Sequence, residues 1–212
     1  MKYTLLLFIA LIFSSIHCTK QAVLSLNNHP DQIIGLQPLD NFTKAETDSI
    51  IKALSNFFSK RVTLLKTINI PANFFNASVN QYAADSILLL LSKQINDSLV
   101  EVVGITHQPI FTIKKMGTQP YYDQNLFGFG YQPGNVCVVS DLKFSTANTF
   151  FFNRRMRNVI LHEIGHNLGL PHCADDKCIM SKNNGDIMTL DNCGNDYCNA
   201  CRKKLRWPAH FQ

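Results

Sequence analysis

The feature that most constrains this chain is a run of eleven residues from His162 to His172, which reads HEIGHNLGLPH. Its first two histidines, His162 and His166, are four residues apart. On a helix this spacing leaves them about 40° apart around the axis and about 6 Å apart along it, so both imidazoles can reach one ion. Gly169 accepts the backbone angles that end a helix, so the pattern predicts a turn there that brings His172 to the same ion.

The residue types in this run predict a catalytic zinc site. Three neutral imidazoles leave the fourth position of a tetrahedral zinc ion open for water, which is the catalytic rather than the structural pattern. Glu163 projects beside that position, where its carboxylate can take a proton from an attacking water and pass it to a leaving amine. The shorter pattern His-Glu-x-x-His also occurs on buried helices without catalytic purpose. The longer pattern has five fixed positions, three His, one Glu and one Gly, and arises by chance on the order of once in ten million windows. Its presence therefore favours a catalytic zinc site.

The cysteines are clustered behind this run. The chain has seven, of which six follow residue 136 and five lie between positions 173 and 201. An odd, clustered number favours metal ligands with some cysteines left over, rather than a simple set of disulfides. After His172 the spacing is C-x4-C-x-M-x17-C-x-x-C, and it is formed by Cys173, Cys178, Met180, Cys198 and Cys201.

The complete pattern, residues 162–201, resembles the motif of the archaemetzincins, a branch of the metzincin metallopeptidases. The resemblance implies a zincin-like α/β fold. In such a fold a mixed, twisted sheet is packed by helices, and a short zinc-bound C-terminal segment follows the active-site helix.

The resemblance also assigns roles to individual residues and implies two zinc ions per chain. Glu163 is the general base and acid, and Met180 is the methionine of the Met-turn beneath the metal site. The catalytic zinc has three ligands: His162, His166 and His172. The structural zinc has four: Cys173, Cys178, Cys198 and Cys201.

Other interpretations of the cysteines stay open. In an exported protein the four can form two disulfides instead of binding zinc. Cys198 and Cys201 precede basic residues and could belong to a zinc ribbon that binds nucleic acid. No second pair of matching spacing exists, so we expect no nucleic-acid partner. Cys137 lies in an apolar run and is expected to be buried, whereas Cys193 lies in an Asp/Asn/Gly loop and is expected to be exposed; the two could also pair with each other.

The N-terminus has the pattern of a targeting segment. Lys2 precedes an unbroken apolar run, residues 5–13, which is too short to span a bilayer and typical of a signal peptide. We therefore predict a signal peptide at 1–18, a tether at 19–32 and an exported protein; an uncleaved anchor is the alternative. Cys18 stands where a bacterial lipoprotein is lipidated, although His17 precedes it, so a lipid anchor to the membrane is a second hypothesis.

Residues 33–212 are predicted to form one domain. The chain of 212 residues is long enough to bury a core, and 46% hydrophobic with 17% charged residues excludes a disordered chain and a polytopic membrane protein. A net charge of +5 excludes a strongly basic nucleic-acid binder. Thr43 and Glu46 predict a capping box at the first helix. Apolar periodicity predicts strands at 33–36, 62–70, 99–106 and 136–140, and helices at 44–59, 79–94 and 149–168.

The function predicted is a zinc-dependent peptidase that acts on peptides or small proteins, and we expect a monomer. The alternative is a zinc-bearing binding protein that has kept the fold without activity. Glu163 argues against it, because a chain released from catalysis has no chemical reason to keep this carboxylate. From the resemblance, we expect residues 129–140 to supply a strand edge to which an extended peptide is added.

Overall fold

The computed structural model describes residues 32–144 and 146–205. Its strands are β1 (Ile33–Pro38), β2 (Arg61–Leu64), β3 (Phe75–Asn76), β4 (Gln81–Ala83), β5 (Leu99–Thr106), β6 (Ile110–Met116), β7 (Gln119–Asp123), β8 (Gly128–Gly130) and β9 (Val136–Ser140). Its α-helices are α1 (Lys44–Phe58), α2 (Ala84–Ser92), α3 (Thr149–Asn167), α4 (Ile187–Asn192) and α5 (Asn199–Lys204). The predicted signal peptide, Cys18 and all of the predicted tether except residue 32 lie outside the described residues. No helix in the described part of the chain is long and apolar enough to cross a membrane.

The main sheet has the strand order β2-β1-β5-β9-β8. Its first four strands run parallel, and β8 is antiparallel to β9. Among the described residues, no strand pairs with the other edge of β8. A smaller sheet has the order β3-β4-β6-β7, of which β6 and β7 form a hairpin. The mixed α/β class predicted from the sequence is therefore confirmed.

Side chains of the central strands alternate between two hydrophobic clusters on opposite faces of the main sheet. Val103 of β5 and Val139 of β9 lie in the cluster with α1 and α3, whereas Val102 and Val138 lie in the cluster with α2. Successive residues of a strand point to opposite faces, so continuous apolar runs are needed where both faces are covered. The sheet is thus the middle of three layers.

Helix α3 places His162 and His166 at the edge of this sheet. It begins at Asn148, whose side chain accepts hydrogen bonds from the backbone N–H groups of Phe150 and Phe151. It ends at Asn167, and the turn that follows contains Gly169, which has a φ of +91° and whose N–H donates to His166 O over 2.8 Å. The predicted helix at 149–168 and the predicted turn at Gly169 are both confirmed.

Two predicted elements are shorter than expected. The strand at 62–70 ends at Leu64, after which Leu65 and Ile68 donate single backbone bonds to the end of β1 and pack against the cluster around α2. The helix at 79–94 begins only at Ala84, because residues 81–83 form strand β4, in which Tyr82 and Ala83 pair with β6. Tertiary pairing overrides the helical periodicity in this second place.

Helix α1 has the predicted capping box. The backbone N–H of Thr43 donates to Glu46 Oε2 over 2.7 Å, and the N–H of Glu46 donates to Thr43 Oγ1 over 3.3 Å. These two bonds satisfy N–H groups that have no partner within the helix. Because α1 packs its Ile50, Leu54 and Phe58 against the sheet, fraying at this end weakens the core.

We expect Thr43→Ala to lower the free energy of unfolding by about 1 kcal/mol, because it removes the cap acceptor. Urea denaturation followed by circular dichroism measures this change. Thr67→Ala is the matched control, since Thr67 is exposed and lies in an irregular segment. Equal stabilities of the two variants would show that the cap contributes nothing.

Candidate active site and metal centres

Three histidines converge at the C-terminal end of α3. The ring centroids of His162 and His166 are 4.7 Å apart, and those of His172 are 5.2 and 4.8 Å from them. One nitrogen of each ring lies within 4.8 Å of one nitrogen of the others. Three imidazole nitrogens at this spacing fit one zinc ion and leave a coordination position open.

Backbone carbonyls orient two of the rings. His162 Nδ1 donates to Ile179 O over 2.7 Å, and His166 Nδ1 donates to Leu170 O over 2.8 Å. A carbonyl only accepts hydrogen bonds, so Nδ1 carries the proton and Nε2 keeps a free lone pair for a metal. These bonds select the tautomer of each ring and its direction.

Burial keeps the histidines in the neutral form that binds metals. It lowers the pKa of His162 to about 3, with the charge of His166 adding to the effect. Burial likewise lowers the pKa of His172 to about 4 and that of His166 below its usual value. At neutral pH all three rings are therefore uncharged, as metal ligation requires.

The side chain of Glu163 extends from α3 and packs against the edge strand β8. Burial raises the pKa of its carboxyl to about 8, while the backbone N–H of Gly130 and the charge of Lys114 act in the opposite direction. A Cβ at Gly128 would lie 2.7 Å from Glu163 Cγ. Only glycine allows β8 to pass this close, so the edge strand and the carboxylate are packed directly against each other.

Met180 lies under the same turn of α3. Its side chain is fully buried, and a Cβ at Gly165 would come within 2.4 Å of its Sδ. Gly165 lies between the two helical histidines in the sequence, so Met180 packs beneath them. Its position is the one that the resemblance implies for the Met-turn methionine.

Four cysteines form a second cluster. The Sγ atoms of Cys173 and Cys198 are 3.7 Å apart, and those of Cys178 and Cys201 are 3.8 Å apart. Zinc–sulfur bonds of about 2.3 Å in a tetrahedron separate the sulfurs by about 3.8 Å, whereas a disulfide requires about 2.0 Å. The four are free thiols, and their arrangement fits a closed zinc site.

The two clusters share one segment of chain. Ile179, which orients His162, lies between Cys178 and Met180. The backbone N–H of Cys173 donates to Met180 O over 2.8 Å, directly after His172 in the sequence. The N–H of Met180 in turn donates to Cys178 Sγ over 3.4 Å. The cysteine cluster therefore holds the chain that positions the histidines.

Of the described residues, two further cysteines, Cys137 and Cys193, are buried free thiols. The expectation that Cys193 is exposed is wrong, because it is only 5% exposed and its Sγ donates to Leu190 O over 3.0 Å. Cys137 is fully buried in β9, as expected. The described thiols are not paired with each other.

A cleft of about 470 Å³ opens beside the three histidines and Glu163. One wall is the segment 125–130, which includes β8, and another is the segment 182–185. The hairpin of β6 and β7 contributes Lys114, Tyr121 and Asp123. The cleft is open to solvent and reaches the three histidines.

Two buried polar residues beside the site were not singled out from the sequence. Asn167 follows His166, and its Nδ2 donates to Glu101 Oε1 in the middle of β5 over 2.5 Å. Burial raises the pKa of Glu101 to about 8. The sequence did contain a sign of this pair, because Glu101 lies inside a largely apolar strand and glutamates are rarely buried without a partner.

Comparison with known proteins places these features in a family. Residues 39–207 match the model of peptidase family M54. The archaemetzincin of Archaeoglobus fulgidus is 27% identical over 174 residues, covering 82% of this chain and 99% of the relative. That of Methanocaldococcus jannaschii is 30% identical over 170 residues, covering 75% of this chain and 87% of the relative.

Solved structures agree with the family match. The crystal structure of the Archaeoglobus fulgidus archaemetzincin in complex with malonate superimposes with a TM-score of 0.69 at 26% identity, over 82% of this chain and 99% of that one. The archaemetzincin of Methanopyrus kandleri has the same fold, with a TM-score of 0.69 at 22% identity, over 82% of this chain and 93% of that one. The predicted zincin-like fold and the resemblance to archaemetzincins are confirmed, and the chain therefore belongs to peptidase family M54 and is a zinc metallopeptidase.

Proposed function

We propose that the chain hydrolyses peptide bonds at the three-histidine site, with Glu163 as general base and then general acid. The observation that carries this proposal is the position of the Glu163 carboxyl, which is buried at the edge of β8 and directly follows a metal-binding histidine on α3. The family assignment supports zinc chemistry at the site.

The ligands of the catalytic zinc are His162, His166 and His172. Bound zinc supplies a Lewis acid that polarises a carbonyl and lowers the pKa of water. Glu163 in its ionised form takes the proton from the attacking water, and the burial that raises its pKa then favours the protonated carboxyl that donates to the leaving amine. The backbone N–H of Gly130 donates to this carboxyl.

An extended substrate would be added to the free edge of β8. Of the segment 129–140, β9 is paired on both sides, so only β8 has an open edge. The N–H of Ser140 donates to Phe127 O over 2.9 Å. Bonded pairs alternate in an antiparallel ladder, so the backbone groups of Gly128 and Gly130 face away from β9. The N–H of Gly130 donates to Glu163, so both backbone groups of Gly128 and the carbonyl of Gly130 remain for a substrate.

The four cysteines would bind a second zinc ion, which brings the count to two per chain. Its role would be structural, because four sulfur ligands leave no open position. We further propose that the enzyme is exported with a signal peptide at 1–18 and a tether at 19–32, followed by one domain to residue 212. In an oxidising compartment the cysteines keep zinc only if the metal binds before the thiols oxidise.

We expect Glu163→Gln to lower kcat for a peptide substrate by about 10²- to 10⁴-fold, because the amide cannot accept the proton of water. Hydrolysis of a quenched fluorescent peptide measures the loss, and elemental analysis checks that zinc is retained. Glu46→Gln is the matched control, since glutamine also serves at this capping position. Undiminished hydrolysis by the Glu163 variant would rule out the proposed base.

We expect native mass spectrometry to find two zinc ions per wild-type chain. Cys201→Ser should lose one zinc, because the closed site loses a sulfur ligand, whereas Cys193→Ser should keep both. Serine can replace the Cys193 thiol as donor to Leu190 O. One zinc ion together with two disulfides would contradict the second metal site and leave the histidine site intact.

We expect N-methylation of a substrate amide that faces β8 to raise KM about fivefold, the cost of about one hydrogen bond. Methylation of the next amide along the peptide, which faces away from the strand, should change KM little. Kinetics with a set of singly methylated peptides measures this alternation. A uniform effect at every position would contradict strand addition.

A further inference from the structure

The lining of the cleft beside the histidines includes one lysine, Lys182, that forms no ion pair with a carboxylate of the described residues. The lining contains two lysines, Lys114 and Lys182, and two carboxylates, Asp123 and Glu163. Lys114 Nζ lies 2.5 Å from Asp123 Oδ2, and the charge of Lys143 also lowers the pKa of Asp123. Glu163 is buried against β8. Within the described residues, no carboxylate forms an ion pair with Lys182.

The backbone that carries Lys182 is anchored on both sides. The N–H of Ser181 donates to Cys178 O over 2.9 Å, next to the cysteine cluster. Gly185 has a φ of +71°, and a Cβ there would lie 2.2 Å from Asn125 O, so the segment 182–185 is held tightly against the opposite wall. Lys182 is itself exposed at the mouth of the cleft.

The charge of Lys182 acts close to the metal ligands. Lys182 lines the same cleft as His162, His166 and His172. An anion bound between a metal ion and this ammonium would be attracted by both. In a peptide the anionic groups are carboxylates, either on acidic side chains or at the C-terminus.

We propose that Lys182 is a specificity-determining residue that binds a substrate carboxylate beside the three histidines. The enzyme then prefers peptides with a carboxylate next to the scissile bond. This inference rests on the proposed peptidase function and names the substrate class of that site. Lys182 contributes to recognition and takes no part in the proton transfers.

The test compares peptides that differ only in charge. Glu, Gln or Lys is placed on either side of one scissile bond, in peptides with a free or an amidated C-terminus. We expect kcat/KM for the carboxylate-bearing peptides to exceed that of the neutral ones by about two- to fivefold, the range of an exposed ion pair. If the faster hydrolysis depends on Glu beside the scissile bond, the bound group is an acidic side chain. If it depends on a free C-terminus, the bound group is the C-terminal carboxylate.

Lys182→Glu should reverse the order, so that the Lys peptide is cleaved best. Lys115→Glu is the matched control, because Lys115 follows Lys114 on β6, is exposed and lies outside the cleft lining. The preference should also shrink as ionic strength rises, which a change in folding would not produce. Equal kcat/KM for acidic and neutral peptides in the wild type would overturn the proposal while leaving the peptidase function in place.

If no hydrolysis is detected, a binding measurement tests the carboxylate subsite separately from the proposed peptidase function. Fluorescence anisotropy with the same labelled peptides and the Glu163→Gln variant reports affinity without turnover. Tighter binding of the acidic peptides, lost with Lys182→Glu, supports the carboxylate subsite. Equal binding of acidic, neutral and basic peptides overturns it.

Discussion

The hydrogen bond from His162 Nδ1 to Ile179 O is the interaction on which the rest of the site depends. It joins the active-site helix to the segment between Cys178 and Met180, and it decides which ring nitrogen of His162 is free. That segment is held by sulfur atoms on one side and by the methionine packed under Gly165 on the other. A closed zinc site at the cysteines would therefore stabilise the geometry of the catalytic ligands as well as the C-terminal segment.

The second constraint is steric and comes from the edge strand. Gly128 allows β8 to pass within contact of Glu163, and Gly130 supplies an N–H to the same carboxyl. Any side chain at position 128 would force the Glu163 side chain or the strand to move. The arrangement places the Glu163 carboxyl, the three histidines and the open backbone edge along one rim, as the proposed peptide hydrolysis requires.

The sequence predicted the active-site helix almost to its ends, because apolar periodicity and the histidine spacing are local properties. It missed the hairpin of β6 and β7, which supplies part of the cleft. The outer half of β6, including Lys114, is exposed and has no buried face, so no apolar alternation marks it as a strand. The exposure of Cys193 was predicted wrongly for a related reason. The polar residues around it in the sequence do not show that helix α3 packs against its side chain.

The residue types of the candidate sites can be read from the amino-acid sequence: three imidazoles, one carboxylate and four thiols, at spacings that suit two zinc sites. Helix geometry and a glycine turn are enough to bring the histidines together, because all three lie within one short run. The orientation of these groups and the residues beside them depend instead on the packing of distant parts of the chain. The partner of His162 is 17 residues away and that of Asn167 is 66 residues away. Such contacts depend on how the sheet and helices pack, and no local pattern encodes them.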